Sequence, residues 1–188
     1  MSITTMGLGI SLRSMGNEEG LSKYFGKEAG LINLGANENP YGISPKARQA
    51  ILDMIGEANR YQFNVPALLS FKKNLADHYK ISEDQVLLTA GSGDGLALLA
   101  RHFNNGNVIA ADITFSILPN TAKKIGTQLI EVPLTPGKVH DLSAMLKAIN
   151  NETQLVYICN PANPSGTRLP YASLKGFCEE ACKKKRSC

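Results

Sequence analysis

Residues 141–167 read DLSAMLKAINNETQLVYICNPANPSGT, and this stretch predicts a helix, a strand and a rigid turn in succession. Asp141 is a favourable helix N-cap, and the apolar spacing continues the helix through Ala148. Residues 155–159 form an uninterrupted apolar run, which is typical of a strand buried on both faces of its sheet. Two Asn-Pro steps and a glycine then disfavour a helix over residues 160–167.

The same alternation of strands and helices extends towards the N-terminus. Strands are predicted at residues 85–89, 108–111 and 129–132, and helices at 45–59, 66–80, 96–103, 118–125 and 170–184. Leu69, Leu75 and Tyr79 are expected to point inwards from the second helix. This order predicts an α/β fold, a three-layer αβα sandwich with a mostly parallel sheet. Residues 44–188 are assigned to that domain, and residues 1–43 to an N-terminal arm and a substrate-side segment.

The composition excludes several classes of function. The chain has 188 residues, 43% of them hydrophobic and 19% charged. Part of its net charge of +4 comes from one short run, Lys183–Arg186, so no basic stripe for nucleic acid is predicted. No apolar run approaches the roughly 18 residues of a membrane span. We therefore expect neither a nucleic acid nor a membrane as partner.

The cysteines indicate the compartment. Cys178 and Cys182 share one helical face, but two thiols without nearby histidines make a poor metal site, so no metal is predicted. The four cysteines are interpreted as reduced, structural thiols, which predicts a cytoplasmic protein. Residues 1–12 are mildly apolar without a preceding basic region, so a signal peptide is not predicted, although the remnant of a longer export signal remains an alternative.

Residues 89–95, TAGSGDG, lie between a predicted strand and a predicted helix. Glycines allow the backbone to approach a ligand closely, and the free N–H groups of a helix N-terminus suit a phosphate. A tight structural turn explains the pattern equally well. A dinucleotide site is a third interpretation, and Asp112 lies near the distance at which such sites carry an acidic residue. Leu96, however, breaks the full G-x-G-x-x-G pattern.

The turn at residues 160–167, NPANPSGT, follows the carboxyl end of a buried strand. Ligands of open α/β sheets bind at that end. An asparagine held there can donate a hydrogen bond to a ring oxygen of a ligand. The alternative is a purely structural proline-rich turn.

Four segments in order resemble fold-type I pyridoxal-phosphate (PLP) aminotransferases. Residues 163–166, NPSG, resemble the Asn-Pro-Thr/Ser-Gly motif of that family. Residues 37–45, NENPYGISP, resemble the opening of the histidinol-phosphate aminotransferase group. Residues 60–61, RY, and the glycine turn at 91–95 fall where that group has an Arg-Tyr step and a phosphate-binding turn. The resemblance covers residues 31–188.

This resemblance implies which residues contact PLP. Ser92, Gly93 and Asp94 would hold the cofactor phosphate. Phe115 would stack on the pyridine ring, at a position where the family often has tyrosine. Asn163 would donate a hydrogen bond to the ring hydroxyl oxygen.

The resemblance also implies a homodimer and a substrate-side segment. Tyr61 would reach the cofactor phosphate of a neighbouring subunit, while Asn39 and Tyr41 would lie near the substrate. Gln62 stands where the histidinol-phosphate group has proline, which favours a sibling branch with a different or broader substrate.

The function implied is transfer of an amino group between an amino acid or amino-alcohol phosphate and a 2-oxo acid. Two alternatives stay open: a PLP-dependent decarboxylase of a phosphorylated amino acid, and a catalytically dead PLP-fold remnant that acts only in binding. In the family, the Schiff-base lysine, the pyridinium acid and the carboxylate-binding arginine all follow the NPSG motif at a distance. We therefore assign no catalytic residue within this chain, and expect an N-terminal portion that is inactive and marginally stable alone, with an exposed sheet edge.

Overall fold

The computed structural model describes residues 37–39, 41–61 and 64–187, with side chains through residue 184. The chain divides into two compact units, residues 1–63 and 64–188. Most of the predicted N-terminal arm and Gln62 lie outside the described residues.

The first unit contains helix α1, Pro45–Met54, followed by a 3-10 turn, Ile55–Glu57. The Ser44 hydroxyl accepts a hydrogen bond from the Ala47 N–H at 3.2 Å, and Pro45 occupies the first turn of the helix. Ser44 therefore caps the helix where the sequence predicts.

The second unit alternates helices and strands along the chain. Its elements are α2 (Val65–Tyr79), a 3-10 turn (Glu83–Gln85), α3 (Ser92–His102), β1 (Asn107–Ala111), α4 (Ile117–Lys124), β2 (Gln128–Val132), α5 (Leu142–Ala148), β3 (Thr153–Tyr157) and α6 (Tyr171–Ser187). The Asp141 carboxylate caps α5 as predicted, accepting the Ala144 N–H at 2.8 Å.

The three strands form one parallel sheet in the order β2-β1-β3. Central strand β1 is buried over its whole length, with Val108 level with Leu129 of β2 and Leu155 of β3. Helices cover both faces of this sheet. The predicted α/β class with a parallel sheet is confirmed.

Two apolar clusters lie between the sheet and the helices on its two faces. On one face of the sheet, α3 and α4 pack over a core of Ala100, Val108, Ala110, Leu118, Ala122 and Tyr157. On the other face, α5 and α6 pack over Ile109, Val132, Met145, Ile149 and Phe177. Alternate residues of β1 point to opposite clusters, as the pleat of a strand requires.

The strand predicted at residues 85–89 is wrong. A 3-10 turn occupies Glu83–Gln85 and is closed by a capping box, in which the Ser82 N–H donates to the Gln85 side chain at 3.0 Å. The residues that follow enter no ladder with any described strand. Their apolar, β-branched composition favours extended backbone, but a strand also needs a neighbour with which to share its backbone hydrogen bonds.

The inward face predicted for α2 is also wrong in most positions. Leu69 is 54% exposed and Tyr79 is 67% exposed, while Leu75 is half-buried and Ala76 is buried. Among the described elements, α2 packs chiefly on the Glu83–Gln85 turn, which is too short to cover an apolar stripe along the helix.

β3 is an edge strand of the described sheet, because it pairs with β1 alone. A shallow groove runs between this edge and α6, lined in part by Leu155, Val156 and Ala181. The edge therefore presents backbone groups and apolar side chains side by side.

Candidate functional site

The carboxyl ends of β1 and β3 lie side by side at one end of the sheet. Along the chain, β1 is followed first by β2, which pairs with one edge of β1, and then by β3, which pairs with the other edge. Ligands of open α/β sheets bind where the direction of winding reverses in this way. Phe115 lies on the loop after β1, and Asn163 lies on the loop after β3.

The glycine turn does not precede the helix as predicted, because Ser92 already begins α3. Gly91 alone turns the chain, with a φ of +87° and a ψ of 168°, which a side chain would strain. The Thr89 hydroxyl donates to the Gly91 carbonyl at 2.9 Å, and the Gly95 N–H donates to the same carbonyl at 3.3 Å. The N–H groups of residues 92–94 precede this first intrahelical bond, so α3 offers them to a ligand.

Asp94 completes this turn from within the helix. Its carboxylate accepts the Ala90 N–H at 3.2 Å, and so bonds back to the residue that precedes Gly91. Ser92 and Asp94 are exposed, whereas Gly93 is half-buried.

The glycine turn lies against the segment that carries Phe115. A Cβ atom placed on Gly93 would lie 3.0 Å from Cδ1 of Ile117, the first residue of α4. Phe115 is half-buried two residues earlier. Beside it, the Thr114 hydroxyl is buried without a hydrogen-bond partner among the described residues. The structure therefore places Gly93 and the Phe115 segment at the same end of the sheet.

The turn after β3, residues 160–169, is closed by its own hydrogen bonds. The Asn160 amide oxygen accepts the Leu169 N–H at 2.9 Å, and the Gly166 N–H donates to the Ala162 carbonyl at 2.7 Å. Asn163 is half-buried near the middle of this turn. Within the described part of the chain, no hydrogen bond engages its amide, which leaves its N–H groups available to a ligand.

Two further bonds tie this turn to the segment before α5. The His140 ring nitrogen Nε2 lies 2.9 Å from the Cys159 carbonyl oxygen, and the Thr167 hydroxyl donates to the Lys138 carbonyl at 2.7 Å. His140 is only 4% exposed. These contacts could not be predicted from the sequence, because the two partners of each bond lie 19 and 29 residues apart along the chain.

Tyr157, the last residue of β3, is buried. Burial raises the pKa of its phenol to about 12, and the neighbouring Cys159 thiol adds to the shift. The Cys159 thiol itself lies 3.4 Å from the Pro161 carbonyl, to which it donates.

Three predicted residues belong to the first unit. The Asn39 side chain forms a local turn: its amide donates to the Gly42 carbonyl at 3.0 Å, and its oxygen accepts the Tyr41 N–H at 3.1 Å. Tyr41 is 93% exposed and Tyr61 is 89% exposed. Asn39 thus has a structural role in this turn, beside the substrate role that the resemblance implies.

Neither a metal site of His, Cys, Asp and Glu side chains nor a membrane-spanning helix is found among the described residues. Among them, no cluster of three or more His, Cys, Asp and Glu side chains could hold a metal ion. None of their helices combines the length and the apolar run that a membrane crossing requires.

Comparison with known proteins places these features in a family. Residues 29–186 match the family model for class I and II aminotransferases. The chain is 39% identical over 155 residues to a histidinol-phosphate aminotransferase of Brevibacillus brevis, an alignment that covers 81% of this chain and 42% of that protein. A histidinol-phosphate aminotransferase of Geobacillus is 34% identical over 173 residues, with coverage of 91% and 45%.

A solved structure shares the fold. The histidinol-phosphate aminotransferase of Sinorhizobium meliloti, in complex with pyridoxal-5'-phosphate, superposes with a TM-score of 0.72 at 24% identity, covering 96% of this chain and 49% of that one. The chain thus spans less than half the length of each of these three relatives. On the extent of the family match, the chain belongs to the class I and II aminotransferases, whose cofactor is pyridoxal 5'-phosphate.

Proposed function

We propose that this chain supplies the phosphate and ring contacts for PLP in an aminotransferase of the histidinol-phosphate type. The observation that carries the proposal is the exposed N-terminus of α3, packed beside the Phe115 segment at the reversal point of the sheet. Relatives named histidinol-phosphate aminotransferases support the substrate class, an amino acid or amino-alcohol phosphate paired with a 2-oxo acid.

The phosphate is the part of the cofactor that the turn fits best. Ser92 and Gly93 offer backbone N–H groups, Ser92 adds a hydroxyl, and the positive end of the α3 dipole favours an anion. The Asp94 carboxylate adds a negative charge, but its bond to the Ala90 N–H holds it on the turn rather than in front of the free N–H groups. Asp94 would therefore contribute through its backbone.

The ring is the second contact. Phe115 would supply an aromatic face, and Asn163 an N–H donor for the ring oxygen. The Thr114 hydroxyl beside Phe115 is buried without a partner among the described residues, and a ligand at this end of the sheet could satisfy it. When bound, PLP supplies an electron sink that allows an amino group to move between carbon skeletons.

The chemistry would need groups beyond those proposed here. The reactive lysine, the acid at the pyridine nitrogen and the carboxylate-binding arginine are expected in the portion of the relatives that this chain does not span. We therefore propose that residues 1–188 bind without transaminating. A cytoplasmic homodimer in which Tyr61 reaches the phosphate site of the second subunit is part of the same proposal.

The test is a titration of the chain with PLP, followed by absorbance and by quenching of tyrosine fluorescence. We expect saturable binding that inorganic phosphate competes away. Ser92→Ala and Asn163→Ala should each weaken binding about tenfold, since a hydrogen bond to a charged or polarised group contributes about 1.5 kcal/mol.

Matched controls are Ser143→Ala on α5 and Asn120→Ala on α4, which are exposed residues outside the turns described above. These two variants should bind PLP like the unaltered chain. A chain that shows no saturable binding, or equal losses in control and site variants, would disprove the proposal. A histidinol-phosphate transamination assay on a protein that carries the expected lysine then tests the substrate class.

A further inference from the structure

We infer that His140 is a positioning residue for Asn163: together with the Lys138 carbonyl it forms a clamp that holds both ends of the turn carrying this asparagine. The inference rests on the proposed function in so far as Asn163 contacts the cofactor. The geometry of the clamp itself does not depend on any ligand.

The two anchoring bonds hold opposite ends of the turn. His140 bonds to the Cys159 carbonyl, immediately before the turn begins, at 2.9 Å. Thr167, near the end of the turn, donates to the Lys138 carbonyl at 2.7 Å. Asn163 lies between these anchors, and both bonds connect to the same three-residue segment, residues 138–140. A displacement of that segment would therefore move both ends of the turn together.

The segment that forms the clamp is itself rigid. Thr135 and Val139 are joined by three hydrogen bonds: the Thr135 N–H and hydroxyl both donate to the Val139 carbonyl, at 2.9 and 3.1 Å, and the Val139 N–H donates to the Thr135 hydroxyl at 3.2 Å. Lys138 has a left-handed φ of +58° inside this loop, and its N–H donates to the Thr135 carbonyl at 2.8 Å. Asp141, the next residue after His140, caps α5.

The hydrogen bond from His140 to the Cys159 carbonyl determines the tautomer of the ring. A carbonyl oxygen only accepts hydrogen bonds, so the proton must lie on Nε2. The other ring nitrogen, Nδ1, is buried and has no partner among the described residues. Burying an unpaired nitrogen is unfavourable, and an apolar side chain would avoid it. The one described hydrogen bond of the ring is the bond to the turn, which points to positioning as its role.

The experiment compares His140→Met with His140→Gln in the 188-residue chain. Methionine and glutamine have similar shapes, but only glutamine carries a donor that can reach the Cys159 carbonyl. Amide hydrogen exchange without PLP reports the turn through the N–H groups of Ala162, Gly166 and Leu169, each of which is bonded within it. The N–H groups of β1 report global unfolding.

We expect His140→Met to accelerate exchange of the three turn amides about tenfold, with β1 changed less, because the loss of one hydrogen bond loosens the turn locally. His140→Gln should restore most of the protection. A second pair, Thr167→Val against Thr167→Ser, should behave in the same way at the other anchor. Equal acceleration in turn and sheet, or no rescue by glutamine and serine, would overturn the clamp.

The same variants, titrated with PLP, separate the two proposals. A clamp that positions Asn163 predicts weaker PLP binding in His140→Met and near-normal binding in His140→Gln. Unaltered binding in His140→Met, in spite of faster exchange in the turn, would refute positioning of Asn163. If the unaltered chain does not bind PLP at all, the proposed function fails, and the exchange measurements still decide whether the clamp exists.

Discussion

The two turns of the candidate site are built in opposite ways. The glycine turn is closed by bonds between near neighbours, from Thr89 to Gly91 and from Ala90 to Asp94. The turn after β3 is tied to the rest of the molecule by bonds that span 19 and 29 residues. The glycine turn is thus held by local bonds, whereas the turn after β3 combines its own internal bonds with bonds to a distant segment. Substitutions within the first turn should therefore test its own residues, whereas the second turn should also loosen when a distant residue is replaced.

The largest expected effect concerns Gly91. Alanine at a φ of +87° and a ψ of 168° enters a region that glycine alone occupies readily, so Gly91→Ala should lower the free energy of unfolding by about 3 kcal/mol. A Cβ there meets no atom within 4 Å, so the cost would come from the backbone alone. Urea unfolding measures it.

Gly93→Ala is the matched control for this prediction. Its Cβ would approach only the far end of the Ile117 side chain, and alanine is the better helix former, so stability should change by less than about 1 kcal/mol. Equal losses in the two variants would contradict a turn that depends on the conformation of Gly91.

Alkaline pH should destabilise the folded chain through Tyr157, on the strand that leads into the second turn. The pKa of Tyr157 is about 12 in the folded chain, above its ordinary value of 10.0. The folded state therefore keeps this proton more tightly than the unfolded state does. The resulting contribution to the free energy of unfolding is complete below about pH 10 and is lost as the pH rises through about 12. The loss should be about 2 kcal/mol. Thermal melts between pH 8 and 12 measure it, and Tyr157→Phe should remove this part of the pH dependence.

The internal bond of the second turn should have a smaller effect. Asn160→Ala leaves the N–H of buried Leu169 without its acceptor, which should cost about 1.5 kcal/mol. Asn160→Asp keeps an oxygen acceptor and should retain most of the stability. Urea unfolding of the two variants, with the amide shift of Leu169 as a local probe, tests the assignment. Equal losses in both variants would point to another cause.

The smallest expected effect lies in the glycine turn. Asp94→Asn keeps an acceptor for the Ala90 N–H but removes a negative charge from the first turn of α3. The loss should be about 0.5 kcal/mol at low salt, because an exposed charge at a helix N-terminus is screened by ions. Unfolding at two salt concentrations checks this. A loss that does not depend on salt would indicate a change in the turn itself.

The sequence predicted what local chemistry determines. The N-caps at Ser44 and Asp141 are as expected, and so is the presence of β1, β2 and β3, because caps and apolar runs are properties of neighbouring residues. β3 begins and ends two residues earlier than predicted, at Thr153–Tyr157. The prediction of a strand at residues 85–89 was wrong, because a strand must pair with a neighbouring strand, and the composition of a segment does not reveal whether such a neighbour is present.

The site shows the same limit. The glycine turn was recognisable from its spacing, although three glycines suggested a longer turn than the structure has, and α3 begins at Ser92. The role of His140 was not recognisable, because its partner, the Cys159 carbonyl, is a backbone atom on another element. The adjacency of His140 to a capping aspartate was the one available sign that its position in the fold is fixed.

The order of the strands has a consequence for synthesis of the chain. β1 lies in the centre of the sheet, yet the ribosome makes it before both neighbours. β3 is complete about 45 residues later, which takes roughly 2–9 s at ~5–20 residues per second. Until β2 has been made, the most apolar strand of the described sheet has neither partner, and until β3 is complete it lacks one of the two. A chaperone that binds extended apolar segments would find its target at Val108–Ala111.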